Sequence, residues 1–264
     1  MPKLGSDIEI QKLFFMLFVD LNCDMGEGSG SEAEIMPYIS SANIACGYHA
    51  GNRETIIETI SLAKKHQVAI GAHPSFKDRE NFGRTEMQLS NTEIYELVSL
   101  QVKFLSEMAR VAGTSLRHVK PHGALYNMSA KRPMLAKIIA RAVKDSEDAL
   151  VLFGLSGSYS IKEARSIGLN TASEVFADRT YQDNGNLTSR NEPNSLIEDA
   201  DKAVQQALQM VKEGVVTTIS GKQIPVIAET ICIHGDGKHA VEFAKKIHEA
   251  LRKENISIRQ PAKE

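Results

Sequence analysis

Seven short apolar runs, each too brief for a helix, recur along this chain: Leu17–Cys23, Ala42–Cys46, Val68–Ala72, Leu116–Lys120, Ala149–Phe153, Asn170–Val175 and Thr230–His234. Most are separated by segments whose apolar residues return every three or four positions, the spacing of a helix with one buried face. Residues 53–66 carry Ile56, Ile57, Ile60 and Ala63 behind Asn52, a side chain suited to cap a helix. Residues 91–112 follow Ser90 and Glu93 at capping-box spacing and stop at Gly113, and residues 196–213 repeat the pattern with Ser195, Glu198 and Gly214. The segment 215–226 reads instead as a hairpin turning at Gly221-Lys222. A strand that returns through a helix must run parallel to the strand before it, so the order predicts a parallel sheet. An open doubly wound sheet and a closed barrel both fit.

The strand ends carry the chemistry. VDLNCDMGEG (19–28) alternates Asp20, Asn22 and Asp24 with apolar neighbours, which puts the three polar groups on one face of an extended strand. The second run leads to Asn43 and His49, the third to His73 before Pro74, and the fourth to Lys120 and His122 around Pro121. The sixth leads to Glu174, Asp178 and Arg179, and the seventh to His234 and Asp236. In parallel α/β folds the carboxyl ends of the strands form the ligand face. These residues are therefore expected to converge as a ring around one pocket. His66, His239 and His248 fall in helical patterns and read as surface residues. His118 alternates with Lys120 and reads equally well as a hydrogen-bonded core residue. GEGSG (26–30) lacks both the Walker ending and the GxGxxG pattern and reads as a turn. GLSGSYS (154–160) opens a helix, either capped by Ser156 or Ser158 or holding an anion, and the polar stretch 180–193 is a candidate lid.

Composition removes several classes of function. A net charge of -2 offers no basic excess for nucleic acid or an anionic membrane surface. LFFMLFV (13–19) is far shorter than the roughly 20 residues that span a bilayer. Three cysteines without CxxC spacing fit a reducing, cytoplasmic setting and act as core filler. Residues 1–15 read as an extension, Met16 as an alternative start, and 16–264 as one domain. Carboxylates and histidines are numerous enough to ligate a metal but show no tight motif such as HExxH, so its identity is open; if a metal is bound, Asp20, Asp24, His49 and His73 are the expected ligands. Without a Gly-x-Ser-x-Gly elbow, attack by water is favoured over a covalent intermediate.

DLNCDMGEG, SANIACGYHAGN, AIGAHPSF, FGR (82–84), LRHVKPHGALYN, SEVFADR and ICIHGD together resemble the LamB/YcsF family, in one order from about Phe18 to the C-terminus. HGDGKHA departs from the HGD-x-P wording of that family after Asp236. The resemblance implies a distorted seven-stranded (β/α) TIM-like barrel, similar to the glycoside hydrolase/deacetylase superfamily. It also implies ATP-dependent opening of 5-oxoproline to L-glutamate by a chain working with two partner subunits, with ATP and magnesium as cofactors. On that reading Asp20, Asp24, His73, Lys120, His122 and His234 are catalytic, while Asn22, Asn43, His49, Glu174, Arg179 and Asp236 hold substrate. Asp20, Asp24 and His73 would orient or deprotonate water, Lys120 and Arg179 would meet phosphate or carboxylate, and His122 and His234 would move protons. Two alternatives stay open: a metal-dependent deacetylase or carbohydrate hydrolase on the same barrel, and a non-catalytic subunit that only binds substrate.

Overall fold

The computed structural model describes residues 17–147, 149–235 and 239–261, so the readings made for residues 1–16 and for Asp236 lie outside the described residues. Its strands are β1 (Phe18–Met25), β2 (Ser41–Ala45), β3 (Ala69–His73), β4 (Leu116–Val119), β5 (Val151–Leu155), β6 (Asn170–Phe176), β7 (Val215–Thr217), β8 (Gln223–Pro225), β9 (Thr230–Ile233) and β10 (Ser257–Ile258). Its helices are α1 (Glu32–Ile35), α2 (Arg53–His66), α3 (Asn91–Val111), α4 (Gly123–Lys131), α5 (Pro133–Lys144), α6 (Tyr159–Ser166), α7 (Ala200–Glu213) and α8 (Ala240–Lys253). β1 to β6 pair in sequence order, β6 pairs with β9, and β9 pairs back with β1, all in parallel. Among the described residues this closes a seven-stranded barrel, as the resemblance implies. β7 and β8 form the expected hairpin outside it, and β10 pairs with the start of β1. No helix of the described residues is long and apolar enough to cross a membrane.

Period-two alternation divides each strand between two environments. Val19, Leu21, Cys23 and Met25 of β1, Ala42 and Ile44 of β2, and Ile231 and Ile233 of β9 are buried in one continuous apolar layer with the helices. That layer supplies most of the driving force, at about 25 cal/mol per Å² buried. The alternate residues point into the barrel. There Val151, Phe153 and Ala172 form only a small separate apolar cluster, and the remaining interior is largely polar.

Local details follow side-chain chemistry. Asn52 and Ser90 cap α2 and α3 in reciprocal boxes, as expected. The third cap differs: α7 starts at Ala200, where Asp199 accepts from the backbone N–H groups of Asp201 and Lys202. The Ser195 carbonyl is instead held by the Arg179 side chain and the Thr180 N–H, which keeps 195–198 in the preceding loop. Ser158 occupies the N-cap of α6 without a side-chain bond, and Ser156 accepts from the Ile227 N–H, so neither serine side chain caps that helix. Gly71 of β3 is required by its neighbour: a Cβ there would lie 2.0 Å from His118 Nε2.

Candidate active site

Successive inward residues of a strand lie roughly 6–7 Å apart along it, so the polar residues of β1 are stacked in depth rather than spread around a rim. At the deepest level, Asp20 accepts from Ser40 Oγ (2.6 Å), Ser41 Oγ (2.7 Å) and Thr230 Oγ1 (2.6 Å). Burial, opposed by these hydroxyl donors, pushes its carboxyl up to about 6. One level up, Asn22 donates to Glu174 Oε1 (2.9 Å) and Thr230 (2.6 Å). Asn43 donates to Asn22 Oδ1 (2.7 Å) and Asp24 Oδ1 (2.9 Å), and His118 Nε2–H donates to Asn43 Oδ1 (2.8 Å). His118 also stacks on Phe153 at 4.2 Å, and burial lowers its imidazole to about 3. It is the hydrogen-bonded core histidine.

The third level is the floor of the mouth. Lys120 Nζ lies 2.9 Å from Asp24 Oδ1, 3.0 Å from Glu174 Oε1 and 3.0 Å from Cys232 Sγ. Burial works against both members of the Lys120–Asp24 pair. Mutual attraction prevails, aided by His73 beside Asp24 and by Glu174 beside Lys120, so Asp24 is held well below the carboxylate range and Lys120 well above the usual ammonium value. Both stay charged. Burial pushes the Cys232 thiol well above its ordinary value, so it is a neutral neighbour. Burial and the neighbouring Glu174 carboxylate push the Tyr126 phenol well above its ordinary value, so it too is neutral.

Two groups of histidines complete the mouth. His73 Nδ1–H donates to the Lys120 carbonyl (2.6 Å), and its Nε2 lies 3.3 Å from Asp24 Oδ2 and 2.8 Å from His122 Nδ1. His49 stacks on His122 at 3.8 Å and faces Glu27 at 3.0 Å. Burial and the neighbouring His73 lower His49 to about 2 and His122 well below 6.5. Across the mouth, His234 Nδ1–H donates to Asp178 at 2.8 Å, which fixes the tautomer and leaves Nε2 available. Burial would raise Asp178, but His234 beside it holds it low.

Asp24, His73, Lys120, His122, Arg179 and His234 all line one cavity of about 640 Å³ at the carboxyl ends of the strands. The expected ring is therefore present, and smaller than expected. Asp20, Asn22, Asn43, His49 and Glu174 do not line the cavity; the first three and Glu174 sit beneath its floor because depth follows strand position, and His49 sits behind His122. Asp20 consequently stands apart from His49 and His73 as a metal ligand. Arg179 is buried, which lowers it to about 10, and donates to the carbonyls of Ser195 (3.2 Å) and Thr188 (2.6 Å). It thereby anchors the 180–193 stretch, several residues of which wall the cavity. Glu27, Tyr126 and Cys232 are not among the expected site residues, whereas Asp178 is expected in the ring and is found there beside His234. Strand parity alone could have found Cys232, since it shares the inward register of Thr230.

The LamB/YcsF family model matches residues 19–264. The chain belongs to this family. Its relatives include the A subunit of a 5-oxoprolinase from Tolumonas auensis, 51% identical over 249 residues that cover 92% of this chain and 99% of the relative. A crystal structure of a lactam utilization protein from Thermus thermophilus superposes with a TM-score of 0.86 at 42% identity, over 93% of this chain and 100% of that one. T48 deacetylase matches at a TM-score of 0.50 and 14% identity, over 93% and 88% of the two chains, and so shares the fold alone. The LamB/YcsF fold thus places its polar barrel interior and the cavity above it within the single matched region.

Proposed function

We propose that this chain is the lactam-binding and lactam-opening subunit of an ATP-dependent 5-oxoprolinase, acting with two partner subunits to convert 5-oxo-L-proline to L-glutamate. Half-identity to the A subunit of a 5-oxoprolinase, across nearly the full length of both chains, supports the substrate. The observation that carries the chemistry is the pairing of a buried Asp24–Lys120 floor with an Asp178-oriented His234 across one cavity. A lactam carbonyl carbon must receive water while its ring nitrogen gains a proton. His234 Nε2, backed by Asp178, is the general base for that water. Asp24 is too weak a base for this, being held low, and instead orients water or the lactam N–H. Lys120 supplies fixed positive charge near developing oxyanion charge. When bound, ATP supplies the phosphoryl group that activates the lactam oxygen. Arg84, Lys131 and Arg190 line the cavity and give it cationic side chains that fit a polyanion.

Reconstitution with both partner subunits tests this reading, following ADP release that depends on 5-oxoproline. His234→Gln is expected to reduce that turnover by roughly 10²–10⁴-fold while substrate binding and complex assembly persist. Unchanged turnover would assign the chemistry elsewhere, as in a purely substrate-binding subunit.

A further inference from the structure

Beside the catalytic floor, Glu27, His49, His73 and His122 form a buried to half-buried cluster in which each side chain can offer one metal-ligating atom. Each imidazole has one nitrogen committed as a donor. His73 Nδ1–H meets the Lys120 carbonyl at 2.6 Å, and His122 Nε2–H meets the Phe82 carbonyl at 2.9 Å. Ser75 Oγ donates to the Phe76 carbonyl (2.8 Å), so toward His49 Nδ1–H (2.9 Å) it must accept. In the singly protonated form that a metal would meet, those contacts turn the lone pairs of His49 Nε2, His73 Nε2 and His122 Nδ1 toward the cluster. With Glu27 Oε1, these four acceptors lie within 4.8 Å of one another. Two of the approaches are 2.8 Å (His73 to His122) and 3.0 Å (His49 to Glu27), close enough for both pairs to share one ion.

We propose that this cluster binds one divalent transition-metal cation, held by Glu27 Oε1, His73 Nε2 and the His49/His122 pair. Ligands about 2.0–2.2 Å from an ion, at octahedral to tetrahedral angles, stand about 2.9–3.5 Å apart. Four of the six ligand-to-ligand distances, 2.8, 3.0, 3.4 and 3.9 Å, bracket that range, and the two from His49 to the other imidazoles lie within 4.8 Å. Three imidazoles and one carboxylate suit zinc, cobalt or manganese rather than calcium or magnesium, which prefer oxygen donors. The Lys120 and Phe82 carbonyls and Ser75 Oγ are the outer contacts that orient metal-binding imidazoles. His49 and His122 are parallel within 6°, and one ion cannot lie in both ring planes, so loading tilts one ring out of the stack. His73 and His122 line the cavity, which brings the ion to its wall. The set differs from the one expected from sequence by using Glu27 and His122 in place of Asp20 and Asp24.

Cobalt is the probe. The full-length chain, stripped with chelator and titrated with Co²⁺ without ATP, 5-oxoproline or partners, is expected to develop visible ligand-field absorption that saturates at one ion per chain and is displaced by Zn²⁺. Glu27→Gln and His73→Ala are expected to abolish it. Ser75→Ala, which keeps all four ligands and removes only the acceptor behind His49, is expected to weaken binding about tenfold. Should His73→Ala misfold, Glu27→Gln on its own, checked by circular dichroism, decides. No saturable absorption in the wild-type chain, or equal binding by wild type and Glu27→Gln, overturns the proposal. Because the readout needs neither substrate nor partner, its failure is separate from any failure of the oxoprolinase reading.

Discussion

The outward and inward faces of the same strands are built for different ends. On β1, Leu21 and Cys23 pack against helices with no exposure, while Asp20 and Asn22, which alternate with them, are just as buried but face polar neighbours inside the barrel. The outer layer gains from every apolar atom removed from water. The inner face must match each donor to an acceptor merely to offset the loss of hydration. The contrast teaches that stability is concentrated outside the sheet, which leaves the interior available to hold charges that water would otherwise screen.

Substitutions on the two faces can break this division. Lys120→Met keeps much of the volume but strips the cation from between Asp24 and Glu174. It is expected to cost about 3–5 kcal/mol in urea unfolding at neutral pH, as removing one partner of a buried pair does. A cost below that of an ordinary core truncation would mean that water reaches the floor.

Asp20 gives the next effect through pH. Its carboxyl rises from 3.8 to about 6 in the folded chain, so between those values the folded state holds a proton that the unfolded state has released. Stability should therefore fall by up to about 3 kcal/mol as pH rises through that window and stay lower above it. Asp24 and Asp178, which are lowered, act in the opposite sense, losing their contribution as pH falls through their folded values. Unfolding free energies of wild type and Asp20→Asn from pH 4 to 7 isolate the Asp20 contribution, and parallel curves would show that it has no part in the fall. The smallest effect belongs to the outer face. Ile231→Val is expected to cost about 0.5–1.5 kcal/mol with 5-oxoproline-dependent turnover unchanged. Lost turnover there would mean that the two faces are mechanically coupled.

The barrel strands were readable because each pairs an apolar run with a turn of glycine, proline or polar residues, and the inward set of β1 was readable from its alternation. Depth was not. Asp20 and Asp24 have the same parity, and only strand position in the closed barrel separates a buried support from a cavity wall. Glu27 escaped because it lies in a glycine-rich turn with no periodicity to aim it; Gly26 and Gly28, at φ of 69° and 85°, flank it and shape the turn that carries it to His49. The start of α7 was misplaced because Ser195 and Glu198 have capping spacing, yet Arg179, sixteen residues before, claims the Ser195 carbonyl for the loop.

Closure of the barrel by β9 against β1 has a consequence for how the protein is made. Thr230 is a partner of Asp20, and Cys232 a partner of Lys120, each more than a hundred residues away along the chain. During synthesis the early strands emerge with their carboxylates still lacking those partners, and the ring cannot shut until residues 230–233 leave the ribosome. Completing the fold and completing the pocket are therefore one event, and a truncated chain ending before that strand would have neither.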